Sequence, residues 1–217
     1  MAAPYDLRYD CGRISLDLVA TAGHPRTERL AGPEELTAWL VGAGVVPGGA
    51  RLGGVDRAWV ARFRALRELL RRVVHGELRG GADESDLALL NRTAASAEPP
   101  IRALRAPDGT LVRALAGPPD CAGLLAAVAR DAIVLLTDAV TRAQLRQCEG
   151  EGCSLVYLDT SRGRRRRWCS SEVCGNRERV ARHRRRATRG TAEGGAPGTP
   201  ASASAPASAS ASASAVR

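Results

Sequence analysis

Four of the chain's six cysteines fall in one stretch: Cys148-Glu-Gly-Glu-Gly-Cys153 and, after fifteen intervening residues, Cys169-Ser-Ser-Glu-Val-Cys174. Two Cys-x4-Cys pairs with a spacer of about hairpin length suit a tetrahedral Zn2+ site, because thiolate is the preferred ligand of a closed structural zinc centre. Each pair must be presented by one tight turn, and Gly150 and Gly152 make such a turn available in the first. Four sulfurs leave no coordination position for water, so the metal is expected to shape the protein and not to react. Cys11 and Cys121 stand apart and read as small buried side chains.

The elements that must position these sulfurs follow from the pattern around them. Leu155-Val-Tyr157-Leu158 alternates as a strand, Asp159 to Gly163 is a turn, and Arg165 to Trp168 is expected to return as the second strand. Ser170 or Ser171 caps a helix that brings Cys174 to the metal from its first turn. Knuckle, hairpin and helix together predict a small treble-clef-like zinc module over residues 147–187.

Upstream, residues 6–146 read as a mainly helical domain. Residues 14–21 form a short helix, and a second opens at Pro33 and carries Leu36, Trp39 and Leu40. Asp56 caps a longer helix with Trp59, Phe63, Leu66, Leu70 and Val73 on one face; its arginines are expected in solvent, and His75 near its end has a place that favours a cation. Asp83 starts another helix. Pro107-Asp108-Gly109 turns a β-hairpin between Ile101 and Leu115. The most apolar helix, from Pro118 onward, is expected to run through Leu145 straight into Cys148. Residues 188–217, rich in Ala and Ser, read as a disordered tail.

Charge is distributed unevenly. The net charge is +9, yet residues 1–145 hold eighteen arginines against seventeen acids, whereas residues 146–189 hold thirteen against five. Arg164, Arg165, Arg166 and Arg167 form one cluster; Arg177, Arg179, Arg182, Arg184, Arg185 and Arg186 form another along the last helix. Arginines in such numbers neutralise phosphates and give salt-sensitive affinity for nucleic acid, duplex DNA being the preferred partner. Asn176, Arg182 and His183 have the chemistry to reach base edges. A zinc-stabilised adaptor for RNA or protein, without sequence-specific DNA binding, is the alternative. No paired carboxylates, nucleophile with a base, or phosphate-cradling glycine loop is present, so an enzyme is not expected. No membrane span or signal peptide is read, and a cytoplasmic location is expected.

The residues Trp168-Cys169, Cys174-Gly175-Asn176-Arg177, the upstream Cys148-x4-Cys153, and Tyr157-Leu-Asp159-Thr-Ser161 resemble the CGNR zinc-finger family, in which the finger follows an N-terminal helical ABATE domain. The resemblance spans roughly residues 10–187. It implies Cys148, Cys153, Cys169 and Cys174 as zinc ligands and a stress-induced transcription regulator as the function. Leu16-Asp17-Leu18-Val19-Ala20-Thr21 is similar to the ABATE opening motif but carries Ala20 in place of Asn. Asn176 and Arg177 have two readings, tying helix to hairpin or touching a ligand, and the first is preferred. A small-molecule or protein signal on the helical domain, and a homodimer, are left open.

Overall fold

The computed structural model describes residues 7–22, 27–50 and 52–193, with side chains through residue 185. Asp6, the side chain of Arg186 and residues 194–217 lie outside the described residues, while residues 188–193, expected in the disordered tail, continue the last helix. The order of elements is α1 (Ile14–Val19), α2 (Pro33–Gly42), α3 (Arg57–Leu78), α4 (Glu84–Ala94), β1 (Ile101–Arg105), β2 (Leu111–Leu115), α5 (Cys121–Thr137), α6 (Ala139–Arg142), β3 (Leu145–Gln147), β4 (Val156–Leu158) and α7 (Cys174–Glu193). The expected mainly helical architecture with one hairpin and a small cysteine module is what forms. Two compact units divide at Arg179–Val180, and the core and the cysteine site lie in the first.

The helices form where the sequence supplies caps and an apolar face. Asp56 accepts the Trp59 amide at 2.9 Å to start α3, and Asp120 accepts the Gly123 amide at 2.6 Å to start α5, each satisfying an N–H that a helix start leaves without a partner. Phe63, Leu70 and Val73 of α3 are fully buried with Leu124, Val128 and Leu135 of α5. Trp39 of α2 meets Phe63 edge-on, ring centroids 6.1 Å apart. Burial of side chains this size is worth about 1.5–3 kcal/mol each. The same core continues without interruption into Leu145, Val156, Tyr157 and Leu158 of the cysteine module.

Three sequence expectations are corrected. Helix α5 does not run into Cys148: the backbone turns extended at Asp138, whose carboxylate caps the short α6 through Val140 and Thr141, and β3 follows. The partner of β4 is not Arg165–Trp168 but β3, with Leu145 opposite Leu158 and Gln147 opposite Val156. The cysteine knuckle is therefore the loop of this hairpin. Residues 165–168 take no ladder place because Asp159 and Tyr157 hold them by side chain, as described below.

The third concerns α3. Its arginines are not all solvated: Arg67 is 5% exposed and forks onto Glu28 with two bonds of 2.7 Å, while Arg71 pairs with Glu68 and Arg72 with Asp86. His75 does lie in the last turn of α3, near its end, but it is buried and not in solvent. Burial, then Arg71 and Arg79, push its pKa down against the helix end, and it bonds to Gln147 and to the Ser154 backbone. It is a contact between the helical part and the knuckle.

The hairpin of β1 and β2 pairs Ile101 with Leu115, as expected. Gly109 takes φ +84, which the Pro-Asp-Gly turn requires. No helix among the described residues is long and apolar enough to cross a membrane.

Candidate metal centre

The four cysteines expected to act together do converge. Cys148, Cys153, Cys169 and Cys174 are all buried, and their sulfurs lie within 4.8 Å of one another. The Sγ atoms of Cys153 and Cys169 are 4.0 Å apart and those of Cys169 and Cys174 3.6 Å apart. A tetrahedral Zn2+ with bonds of about 2.3 Å requires sulfurs about 3.8 Å apart, so the donor set fits by chemistry and by size.

Each ligand is placed by a different local device. Cys148 leaves β3 and Cys153 closes the knuckle, with its amide on the Gly150 carbonyl at 2.9 Å. Gly152 supplies the left-handed turn at φ +67. Gly150 has another role: a Cβ there would stand 3.1 Å from the Cys174 Cβ and 3.2 Å from its sulfur, so a larger residue would crowd the cysteine cluster. Cys174 opens α7, where the Ser170 hydroxyl accepts the Glu172 and Val173 amides, as the capping pattern predicts. Gly175 lies against the Trp168 ring, 3.6 Å away for an added Cβ.

Thiolate sulfurs carry net negative charge even around Zn2+, about −2 for four of them, and need donors. The Gly150 and Cys169 amides donate to Cys148 Sγ at 3.4 and 3.3 Å. Among the described residues Arg8 supplies the charged donor, Nη1 to Cys169 Sγ at 3.3 Å and Nη2 to the Cys169 carbonyl at 2.9 Å, and Asp10 holds its fork with bonds of 2.9 and 2.8 Å. The hydrogen bond from Cys153, followed by Arg8, pulls the Cys169 thiol down. Burial and its bond to Cys169 push Cys174 up. Sequence reasoning missed Arg8, and no local signal marks it, because it lies 161 positions from the sulfur it serves.

The segment that follows β4 is fixed by an internal network. Asp159 is fully buried and accepts the Ser161 hydroxyl and amide and the Arg166 amide; the hydroxyl leads in holding its carboxyl below the ordinary range, with the amides adding. The Tyr157 hydroxyl donates to the Arg166 carbonyl at 2.7 Å. The Arg166 guanidinium stacks 4.4 Å above the Tyr157 ring and donates to the carbonyls of Trp168 and Cys169.

The arginine clusters therefore divide. Arg166 is spent on the interior of the module and is not free for a phosphate. Arg167 lies over Trp168 and pairs with Glu149 at 2.6 Å. Arg164, at φ +48, and Arg165 are exposed and have no side-chain partner among the described residues. Asn176 and Arg177 are exposed and likewise unpartnered, so their side chains do not tie α7 to the hairpin. Glu178 of α7 accepts the Glu151 amide of the knuckle at 3.2 Å instead, and Gly175 packs on Trp168. In the second unit, Arg182, His183 and Arg185 are exposed on α7, with Arg185 engaged in a further interaction.

Two family models match the sequence. ABATE, described as "Putative stress-induced transcription regulator", matches residues 12–139, and the CGNR zinc finger matches residues 144–187. No curated protein matches the chain. The finger match over a buried four-sulfur cluster identifies Zn2+ as the metal the chain binds.

Proposed function

Because the chain belongs to the ABATE family of stress-induced transcription regulators and carries a CGNR zinc finger, we propose that it regulates transcription by binding duplex DNA through that finger. Cys148, Cys153, Cys169 and Cys174 hold the zinc, which supplies rigidity when bound. With four sulfurs around it the metal has no open position, so its role is architectural and not catalytic.

The observation that carries the reading is the set of uncommitted donors on the finger. Arg162, Arg164, Arg165 and Arg177 are exposed and make no ion pair among the described residues. Arg64, Arg67, Arg71 and Arg72 of α3 each meet a carboxylate, whereas these four of the finger do not. Four guanidinium groups without one, on a loop held by Asp159 and on the helix start that carries Cys174, suit phosphate oxygens, where forked donors bind in pairs. Asn176, exposed beside Arg177, has the amide that reads a base edge. The unpartnered state of Asn176 and Arg177 favours contact with a ligand over the structural role expected from sequence.

Fluorescence anisotropy of the full chain with labelled duplex DNA over a salt series tests this. Each phosphate contact contributes about −0.9 to the slope of log affinity against log salt. Arg164→Ala with Arg165→Ala is expected to flatten that slope by roughly 2. An unchanged slope would sink the assignment of these two residues, and stronger binding of structured RNA than of duplex DNA would favour the adaptor reading.

A further inference from the structure

A groove of about 350 Å³ lies between α3, α4 and α5, away from the cysteine cluster. Its walls are apolar: Leu66 and Leu69 from α3, Leu89 from α4 and Leu125 from α5. Leu89 is 40% exposed there, a large aliphatic side chain open to water beside three that are nearly buried. Arg62 and Arg92 also line the groove, both are exposed, and neither has an ion pair or side-chain hydrogen bond among the described residues.

No acid lines the groove. The carboxylates near the lining residues in sequence are committed elsewhere: Glu68 pairs with Arg71, Asp86 with Arg72 and Glu98 with Arg130, while Asp56 and Asp120 cap α3 and α5. At the end of α4, Arg130 already donates to the carbonyls of Ala94 and Ser96 and pairs with Glu98, so these groups do not draw Arg92 away.

An apolar floor with two uncommitted guanidinium groups and no carboxylate is complementary to one kind of small molecule. We propose that this groove binds a small apolar carboxylic acid, its hydrocarbon or aromatic body against Leu66, Leu69, Leu89 and Leu125 and its carboxylate between Arg62 and Arg92. A neutral apolar molecule gains only the floor. A cation is repelled. The volume suits a body of roughly ten heavy atoms, which matches pockets that fix orientation with few polar groups. The site is independent of the DNA reading, and its test reads ligand binding alone.

The zinc-loaded full chain, with leucine methyl groups labelled for NMR, is titrated with octanoate, benzoate and 1-octanol. At least one acid is expected to shift the methyls of Leu66, Leu69, Leu89 and Leu125 saturably. Octanol is expected to bind at least about tenfold more weakly than octanoate, since it lacks the charge-assisted bonds. Arg62→Gln with Arg92→Gln is expected to weaken acid binding by at least about tenfold. These side chains are exposed and unpaired, so the fold should be unaffected, and an unchanged thermal melt verifies that. Absence of saturable binding by either acid overturns the proposal. So does acid binding that stays within about twofold in the double variant.

Discussion

Arg8 is the residue whose removal most directly separates the metal site from the rest of the finger. Its guanidinium donates to the Cys169 sulfur at 3.3 Å and to the Cys169 carbonyl at 2.9 Å, and its side chain is 18% exposed. A hydrogen bond to a charged acceptor in such a place contributes about 1.5–3 kcal/mol. Each 1.4 kcal/mol or so is a factor of ten, so Arg8→Ala is expected to lower zinc affinity by about 10–100-fold, the range in which donors behind metal ligands act. Competition with a chromophoric chelator at fixed pH measures this directly. Arg8→Lys keeps a charge but loses the fork that serves sulfur, carbonyl and Asp10 together, and is expected to fall between. Zinc affinity within about twofold of the parent in Arg8→Ala would refute the assignment of Arg8 to the thiolate charge.

Two more outcomes follow from individual contacts. Gly150→Ala places a Cβ 3.1 Å from the Cys174 Cβ at a residue with no positive φ, so crowding alone is tested; a loss of about 1–3 kcal/mol is expected, read by the same chelator competition. Burial pushes the Asp17 carboxyl up to about 6, against the Cys11 amide bond, which acts the other way. The folded chain then binds a proton that the unfolded chain releases near pH 4, so stability falls as pH rises from about 4 to about 6 and the full penalty, roughly 3 kcal/mol, stands above that. Asp17→Asn is expected to be more stable than the parent at pH 7.5 by up to about that amount, with the gain reduced to about half at pH 5. Denaturant titrations at both pH values measure it, and an equal gain at the two would contradict the sign worked here.

The metal site was legible because its information is local: the cysteine spacing, Gly150 and Gly152, and the Ser170 cap all lie within one short stretch. The helical domain was legible for a similar reason, since Asp56, Asp83 and Asp120 mark helix starts and the apolar face of α3 repeats at helical spacing. What failed was pairing between distant or competing partners. Leu155–Leu158 was correctly read as strand-like, but its neighbour was sought downstream because Asp159 to Gly163 resembles a hairpin turn. That turn exists to let Asp159 hold Arg166, and the ladder partner is β3, formed where Asp138 interrupts α5. Arg166 and Arg167 look identical to Arg164 and Arg165 in sequence. Only the placement of Tyr157 and Glu149 separates the committed pair from the uncommitted one.

The arrangement of the core also changes how the finger is regarded. Leu158 donates its amide to the Cys11 carbonyl at 2.9 Å and packs on Gly12, while Arg8 grips Cys169. The cysteine module is joined to the start of the helical domain through its core, and not by a continuous helix.

The most direct test of a zinc-organised DNA-binding finger is the affinity of the full chain for labelled duplex DNA at low salt, measured zinc-loaded and again after the metal is removed by a chelator. The zinc-loaded chain is expected to bind, and the metal-free chain to lose at least about tenfold, as the helix start that carries Cys174, Asn176 and Arg177 loses its anchor. Equal affinity in the two states, or no binding in either, would contradict the proposed role of the finger.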